Sequence, residues 1–261
     1  MITAPGLPSV EVSNRTADTA RERLRAYLTK SGQWSVEKNI DELFDLAGGF
    51  VGRFDFFLPH LPEQAFDRIL ISGCAIGSEH IVAQRVGFKE AFGTEVSQEL
   101  VDIAKLRLEG HSNCRVDYYN GLRLPYPAEH FTTVYSGHVI EHTSSPFEYF
   151  AEHMRVLKPG GFFFLEFPNR YHWTELHTGT FSFEWLPLAL RSLALKAAAS
   201  SFSPASAKNR EFYDLVRRTL QPVSNWQLRQ FMRKLGLKSS KIVATQVPAA
   251  GFMRALIRKG S

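Results

Sequence analysis

The stretch that decides the fold is RILISGCAIGSEHIVAQRVGFKEAFGTE, residues Arg68–Glu95. It opens on a short apolar run, which predicts a buried strand, and continues through a turn that holds Gly73 and Gly77. A helix-like segment follows, and a second short strand, Ala91–Thr94, ends directly before Glu95. Strand, glycine turn, helix, strand and acid therefore follow one another without interruption.

This layout is typical of a site for an adenosine-containing cofactor. Glycines let backbone N–H groups approach the ligand, and an acid at the end of the second strand accepts hydrogen bonds from the ribose hydroxyls. Glu95 lies 22 residues after Gly73, close to the spacing that this geometry needs. A dinucleotide fingerprint, G-x-G-x-x-G, would need glycines at Ala75 and Ser78 as well. The turn alone is also compatible with a strand-to-helix connection that binds nothing.

The turn resembles the first motif of class I S-adenosylmethionine-dependent methyltransferases, acid-x-G-x-G-x-G, with Gly73 and Gly77 as the outer glycines. It departs from that motif at two positions, because Ala75 replaces the middle glycine and Ile71 stands where the acid is usual. Further segments, in the order and at the spacing typical of these enzymes, extend the resemblance over residues 66–170. They are Asn120-Gly121, LPYP at 124–127, HVIEH at 138–142, RVLKPGG at 155–161 and Pro168-Asn169.

The resemblance implies an α/β fold with a seven-stranded, Rossmann-like sheet in the strand order 3-2-1-4-5-7-6 and an antiparallel last strand. The methyltransferase core is then expected over residues 66–169 and 223–261. Residues 1–65 are expected to form an N-terminal helical segment. Residues 170–222 do not continue the strand pattern, and they predict a helical substrate cap inserted after the fifth strand.

The N-terminal segment predicts helices over 18–29 and 36–58, the second interrupted by Gly48-Gly49. Such a segment could close over the cofactor, and Arg53 would then meet the cofactor's carboxylate; an exposed surface arginine is the alternative. The cap opens on aromatic residues, which suit stacking on a sugar ring, an aryl ring or an isoprenoid. Its apolar helix, 186–199, is equally compatible with ordinary core.

The resemblance also implies which residues bind the cofactor. The glycine turn would pass beneath the amino-acid part of S-adenosylmethionine, and Glu95 would hold the ribose. Ser136 and His138 would border the methionine moiety and the transferring methyl group. The implied set is Gly73, Cys74, Ala75, Gly77, Glu95, Val96, Asn120, Gly121, Ser136 and His138.

The run HVIEH supplies groups for proton transfer. On one helical turn, H-x-x-E-H would place His138 on the same face as Glu141 and His142. That spacing can bind a divalent metal, but the Glu-His pair also packs and caps in metal-free relatives, so a site without metal is expected. The candidate catalytic residues are His142 as general base with Glu141 beside it, and His177 in the cap as a rival base.

Composition narrows the classes of protein. Hydrophobic content of 44% with 22% charged residues is ordinary for a globular protein, and no apolar run is long enough to span a membrane. The two cysteines, Cys74 and Cys114, provide neither a disulfide framework nor a metal-ligand spacing. A reducing, cytoplasmic location is therefore expected.

Charge is distributed unevenly along the chain. Residues 1–185 carry 17 Lys/Arg and 24 Asp/Glu, a net charge of −7, whereas residues 186–261 carry 14 Lys/Arg and two acids, a net charge of +12. This asymmetry favours an anionic acceptor or a peripheral contact with an anionic membrane, although a solvated basic surface is the alternative. No specific nucleic-acid partner is predicted, because the basic half lacks a recognisable reading motif.

The predicted function is S-adenosylmethionine-dependent methyl transfer by an enzyme. The favoured acceptor is a hydroxyl of a glycan, a lipid-linked sugar or a small metabolite. N-methylation of a small amine is the runner-up. A catalytically silent cofactor-binding protein and an NAD-dependent oxidoreductase are the alternatives of other classes.

Overall fold

The computed structural model describes residues 14–31, 36–44, 49–169, 220–221, 223–247 and 251–260, with Tyr171, Leu186 and Leu190 as single positions. Within these ranges, seven strands form one sheet in the order β3-β2-β1-β4-β5-β7-β6. The strands are β1 Arg68–Ser72, β2 Glu90–Glu95, β3 Cys114–Tyr118, β4 Phe131–Gly137, β5 Leu157–Pro168, β6 Lys241–Gln246 and β7 Phe252–Arg258.

The predicted strand order is confirmed. Strands β1 to β5 pair in parallel, whereas β7 runs antiparallel to both of its neighbours, β5 and β6. Strand β5 is the longest of the seven described strands and begins at Leu157. Leu157 already pairs with Phe131, and the pairing register then shifts between Phe131 and Thr133. Residues Lys158–Gly161 therefore form part of the strand.

The described part of the chain contains seven α-helices. They are α1 Asn14–Lys30, α2 Val36–Phe44, α3 Gly49–Phe57, α4 Ser78–Arg85, α5 Gln98–Arg107, α6 Pro146–Val156 and α7 Asn225–Lys234. The interrupted helix predicted over 36–58 is therefore present as two helices, α2 and α3. Most of the predicted cap, residues 170–222, lies outside the described residues, and its helices stay a prediction.

Apolar side chains cover both faces of the sheet, as parallel strands buried on two sides require. Helices α6 and α7 cover one face, where Phe150 and Phe163 are buried. Helices α3, α4 and α5 cover the other face, where Phe54 and Phe164 are buried. The alternation of Phe163 and Phe164 between the two cores follows from the two-residue period of a strand.

The N-terminal helices pack against the glycine turn. Leu24 of α1 and Ile40 of α2 share a buried cluster with Ile103 of α5 and with Ile76, which lies between the two turn glycines. This cluster places the N-terminal segment directly against the loop that the sequence assigns to the cofactor. None of the described helices is long and apolar enough to cross a membrane.

Candidate active site

The predicted site residues gather at one edge of the sheet, where the parallel strands end. Gly73 follows β1, Glu95 ends β2 and His138 follows β4. In open α/β sheets, ligands bind in the crevice outside the carboxyl ends of the strands. The topology therefore brings together residues that are up to 65 positions apart in the sequence.

The glycine turn needs glycine at its first position. Gly73 has a φ of +68°, and a Cβ there would lie 2.4 Å from Cγ2 of Val139. The Gly73 and Cys74 amides both donate to the Thr94 carbonyl, at 2.9 and 3.1 Å, which holds the turn against the end of β2. Ala75, the departure from the motif, keeps a positive φ of 43°. The backbone thus follows a tight path without the middle glycine.

Glu95 is held by backbone amides in a fixed position. Its Oε1 accepts from the amides of Val96 and Ser97, at 2.8 and 3.1 Å, and its Oε2 accepts from Ala75 at 3.0 Å. A carboxylate oxygen has two acceptor sites, so Oε2 retains capacity for a ligand hydroxyl. The side chain therefore links the glycine turn to the end of β2, and it fits the ribose-binding role.

The neighbouring loop places the other predicted residues beside Glu95. Val96 is 55% exposed, and a Cβ on Gly121 would lie 3.7 Å from its Cγ1. Such an exposed apolar side chain suits contact with a flat base. The Asn120 side-chain oxygen accepts from the amides of Leu122 and Arg123, at 3.0 and 3.3 Å, and so shapes the loop.

Two predicted cofactor residues turn their side chains into the protein. Cys74 is completely buried, and its Sγ lies 2.7 Å from where a Gly93 Cβ would be. Burial raises the pKa of this thiol well above its usual range. Ser136 is also completely buried, and its hydroxyl pairs with the Tyr149 hydroxyl at 2.8 Å. Only the backbone of these residues can face a ligand.

A set of neutral groups joins the ends of β1 and β4 to α6; we call Ser72, Ser136, Tyr149 and His153 the hydroxyl network. The Tyr149 hydroxyl pairs with Ser136 and donates to Ser72, at 2.8 and 2.9 Å. His153 Nε2 lies 2.8 Å from the Ser72 hydroxyl. Burial lowers the pKa of His153 to about 4, so the imidazole is neutral at physiological pH.

The opposite face of the sheet carries charges at the same level; we call Arg53, Glu79, His138, Glu166 and Arg254 the charged network. Glu166, on β5, is 2% exposed. It accepts from Arg53 Nε at 2.6 Å, Arg254 Nε at 2.5 Å and His138 Nε2 at 2.7 Å. Burial would raise the pKa of Glu166, but His138 and the two arginines outweigh it and lower the pKa to about 2.

Arg53 is not an exposed surface arginine, since its side chain is only 20% exposed. Its guanidinium pairs with Glu166, and its Nη1 lies 3.9 Å from Oε1 of Glu79, in the first turn of α4. Burial raises the pKa of Glu79, although the positive charge of Arg53 opposes this. An arginine beside a loosely paired carboxylate matches both charges of an amino acid, so Arg53 and Glu79 fit the methionine end of the cofactor. Glu79 would then serve in place of the acid of the methyltransferase motif, whose position Ile71 occupies in this sequence.

The prediction that H-x-x-E-H lies on one helical turn is wrong. Only Ile140–His142 is helical, as a single 3₁₀ turn, and His138 lies before it with a φ of 58°. The three side chains still converge: His138 Nδ1 lies 3.7 Å from Glu141 Oε1, and His142 Nε2 lies 3.9 Å from the same oxygen. Burial would lower the pKa of His138, but the carboxylates of Glu141 and Glu166 outweigh it and raise the pKa.

The general bases predicted from the sequence lie in different parts of the chain. The His142 side chain is 43% exposed, so it can reach a ligand next to the site. His177 lies outside the described residues. No group of three His, Cys, Asp or Glu side chains suited to a metal ion is present in the ranges that the structure describes.

Sequence reasoning missed Glu79, Glu166 and Arg254, and of the hydroxyl network it named only Ser136. One signal was available, since Glu166 is the only charged residue in the otherwise apolar run Phe162–Phe167. A lone acid in a strand buried on both faces needs cationic partners. Nothing in the local sequence identifies those partners, which come from α3 and β7.

A cavity of about 450 Å³ lies at the other edge of the sheet. Its lining includes Asp67, Lys89, Lys158 and Arg258, which lie near the amino ends of β1, β2 and β5 and the carboxyl end of the antiparallel β7. It is therefore separate from the residues described above.

Comparison with known proteins agrees with the topology. Residues 59–165 match the model of a family described as a methyltransferase domain. An uncharacterized methyltransferase of Schizosaccharomyces pombe is 34% identical over 105 residues, which cover 37% of this chain and 38% of that protein. The chain thus spans well under half the length of this relative.

Solved structures share the fold at low identity. A S-adenosylmethionine-dependent methyltransferase from Mesorhizobium loti has a TM-score of 0.58 at 15% identity, covering 82% of this chain and 100% of that one. One from Aquifex aeolicus has a TM-score of 0.55 at 14% identity, covering 90% and 98%. A possible histamine N-methyltransferase from Thermotoga maritima has a TM-score of 0.55 at 17% identity, covering 91% and 99%.

The fold is that of the class I S-adenosylmethionine-dependent methyltransferases. Residues 59–165 match the methyltransferase domain family, and this match together with the fold implies S-adenosylmethionine as the cofactor.

Proposed function

We propose that the chain catalyses methyl transfer from S-adenosylmethionine to a hydroxyl group of a small metabolite, a glycan or a lipid-linked sugar. The observation that carries the cofactor part is Glu95, whose carboxylate three backbone amides hold beside the glycine turn. Such a group needs no rearrangement to accept a hydrogen bond from a ribose hydroxyl through its Oε2. When bound, the cofactor supplies an electrophilic methyl group on a sulfonium.

The chain's own contribution is to hold the donor, to orient the acceptor and to remove its proton. Gly73, Gly77, Val96 and Glu95 would hold the adenosine side, while Arg53 and Glu79 would hold the methionine end. His142 would accept the proton of the acceptor hydroxyl, because its imidazole is partly exposed and lies next to the site. The Glu141 carboxylate, 3.9 Å from His142, would stabilise the imidazolium that forms.

The segment after β5 is proposed to cover the acceptor site. Residues 220–221 return beside the site, since the Gln221 amide donates to the Glu141 carbonyl at 2.7 Å. The segment 170–219 therefore connects the end of β5 to residues 220–221, which lie next to Glu141. This connection supports its role as a cap over the acceptor and keeps His177 as the rival base.

The acceptor is proposed to be anionic or to lie at an anionic membrane surface, since residues 186–261 carry a net charge of +12. Exposed charges are screened beyond about 8 Å at physiological salt, so kcat/KM for the true acceptor should fall steeply as salt rises. A profile that stays flat between about 50 and 500 mM NaCl would favour a neutral acceptor.

N-methylation of a small amine is the second candidate. The three carboxylates of Glu79, Glu141 and Glu166 near the site favour a cationic group there. The Thermotoga maritima neighbour described as a possible histamine N-methyltransferase adds support from fold alone. Turnover assays with matched hydroxyl and amine acceptors distinguish the two, and failure with every acceptor would favour a silent cofactor-binding protein.

The test of the cofactor site is titration of Glu95→Gln with S-adenosylhomocysteine by calorimetry. We expect a loss of roughly 2–3 kcal/mol in binding free energy, since charge-assisted hydrogen bonds to the ribose are weakened. Glu99→Gln, nearby on α5, is the matched control and should bind normally. Unchanged affinity in a folded Glu95→Gln protein would contradict the assignment, and tight binding of NAD in its place would favour an oxidoreductase.

A further inference from the structure

Glu141 is a buried carboxylate without a hydrogen-bond donor. Its side chain is 1% exposed, and neither of its oxygens has a hydrogen-bond partner among the described residues. The nearest cationic groups are the imidazoles of His138 and His142, at 3.7 and 3.9 Å, which is beyond hydrogen-bonding distance. A buried carboxylate that accepts no hydrogen bond is costly, and a cationic ligand that binds nearby would lower that cost.

The other acids nearby already have cations. Glu166 accepts from two arginines and from His138, and Glu79 lies 3.9 Å from Arg53. His138 is shared, because its Nε2 is bonded to Glu166 while its Nδ1 faces Glu141 at the longer distance. Of the three carboxylates, Glu141 therefore faces imidazoles alone, whereas Glu166 and Glu79 each face an arginine.

Glu141 lies on the loop that packs against the cofactor turn. Val139, two residues earlier, fills the space next to Gly73, since a Cβ there would lie 2.4 Å from its Cγ2. Burial raises the pKa of Tyr149, and the Glu141 charge adds a smaller contribution; the Tyr149 hydroxyl bonds to Ser72 and Ser136 at the ends of β1 and β4. The loop that carries Glu141 therefore borders the glycine turn, which would hold the amino-acid part of the donor.

A sulfonium is the kind of partner that such a carboxylate can serve. It carries a positive charge but no N–H or O–H, so it is stabilised by a nearby negative charge without a hydrogen bond. Methyl transfer converts the sulfonium to a neutral thioether. The same carboxylate therefore stabilises the bound donor electrostatically but does not stabilise the bound product.

We propose that Glu141 is the residue that makes this site discriminate the charged methyl donor from its neutral demethylated product. The proposal rests on the proposed function, because it assumes that S-adenosylmethionine is the donor. Discrimination of this kind favours release of the product and its replacement by a fresh donor.

The experiment measures the affinities of three probes by calorimetry. They are S-adenosylmethionine, S-adenosylhomocysteine and the analogue in which a protonated amine replaces the methylsulfonium. Wild-type protein should bind both cationic probes more tightly than the neutral product. In Glu141→Gln, which keeps shape but not charge, we expect both preferences to fall by about tenfold while affinity for S-adenosylhomocysteine changes little.

Two variants complete the design. Glu141→Asp keeps the charge and should keep the preference, and Glu148→Gln, exposed on the first turn of α6, is the matched control that should behave as wild type. Equal binding of all three probes by wild type overturns the proposal on its own and leaves the cofactor assignment standing. An unchanged preference in Glu141→Gln, or an equal loss for all three probes, also overturns it. Binding of none of the probes by wild type refutes the proposed function itself.

Discussion

The two faces of the sheet carry different kinds of polar cluster at the same level. On the α6 face, the hydroxyl network consists of neutral groups that satisfy one another within 2.8–2.9 Å. On the α3 and α4 face, the charged network holds carboxylates between arginines and an imidazole. Neutral groups lose little on burial once paired, whereas buried charges need every partner in place. We interpret the first network as support for the strand ends and the second as the part that meets ligands.

The largest effect is expected from Glu166→Gln in the charged network. This change leaves Arg53, Arg254 and His138 without their shared negative charge, and breaking a buried ion pair costs about 3–5 kcal/mol. We expect the free energy of unfolding in urea to fall by about that amount. Glu148→Gln is the matched surface control, expected within about 0.5 kcal/mol of wild type. A loss below about 1 kcal/mol for Glu166→Gln would mean that the arginines find other partners.

Acid should weaken the hydroxyl network. The folded state holds the pKa of His153 at about 4 against an ordinary value of 6.5, so the unfolded chain binds the proton more readily between these values. The free energy of unfolding should therefore fall as pH drops from 6.5 towards 4, by on the order of 2–3 kcal/mol from this group. His153→Gln, which cannot titrate, should show a shallower pH profile. Parallel profiles would place the acid sensitivity elsewhere.

Tyr149→Phe tests the same network without changing charge. It removes the hydroxyl that bonds to Ser72 and Ser136 but keeps the ring, so two buried hydroxyls lose a partner. We expect a loss of about 1–2 kcal/mol in the free energy of unfolding. Tyr118→Phe is the control, since Tyr118 is 50% exposed at the end of β3. Equal effects of the two changes would argue against a supporting role.

The smallest change in the free energy of unfolding is expected when the pH is raised and His138 of the charged network loses its proton. Because the pKa of His138 is raised in the folded state, the stabilisation it gives is complete below its ordinary value of 6.5. It is lost as pH rises through the raised pKa. The wild-type free energy of unfolding should fall over this range, and the His138→Asn difference should disappear at high pH. Asparagine tolerates the positive φ at this position, which makes it the suitable replacement.

The sequence predicted the features that depend on local spacing. Gly73 and Glu95 belong to one strand-turn-helix-strand unit, and the sheet order follows from the resemblance over 66–170. The pairing of Glu166 with Arg53 and Arg254 joins residues 113 and 88 positions apart, so no local pattern contains it. The prediction that H-x-x-E-H lies on one helical turn was wrong. His138 follows β4 in a left-handed conformation, and only Ile140–His142 forms a 3₁₀ turn.

The position of Arg254 on the seventh strand has a consequence for synthesis on the ribosome. Strand β5, with Glu166 near its carboxyl end, emerges before β7, and at ~5–20 residues per second the intervening chain takes several seconds to follow. During that interval β5 is an unpaired sheet edge of five apolar side chains around one acid. Exposed apolar edges recruit other chains, and an inward-pointing charge is one way to prevent this. Before it pairs with Arg53 and Arg254, Glu166 is therefore expected to disfavour association of this edge with other chains.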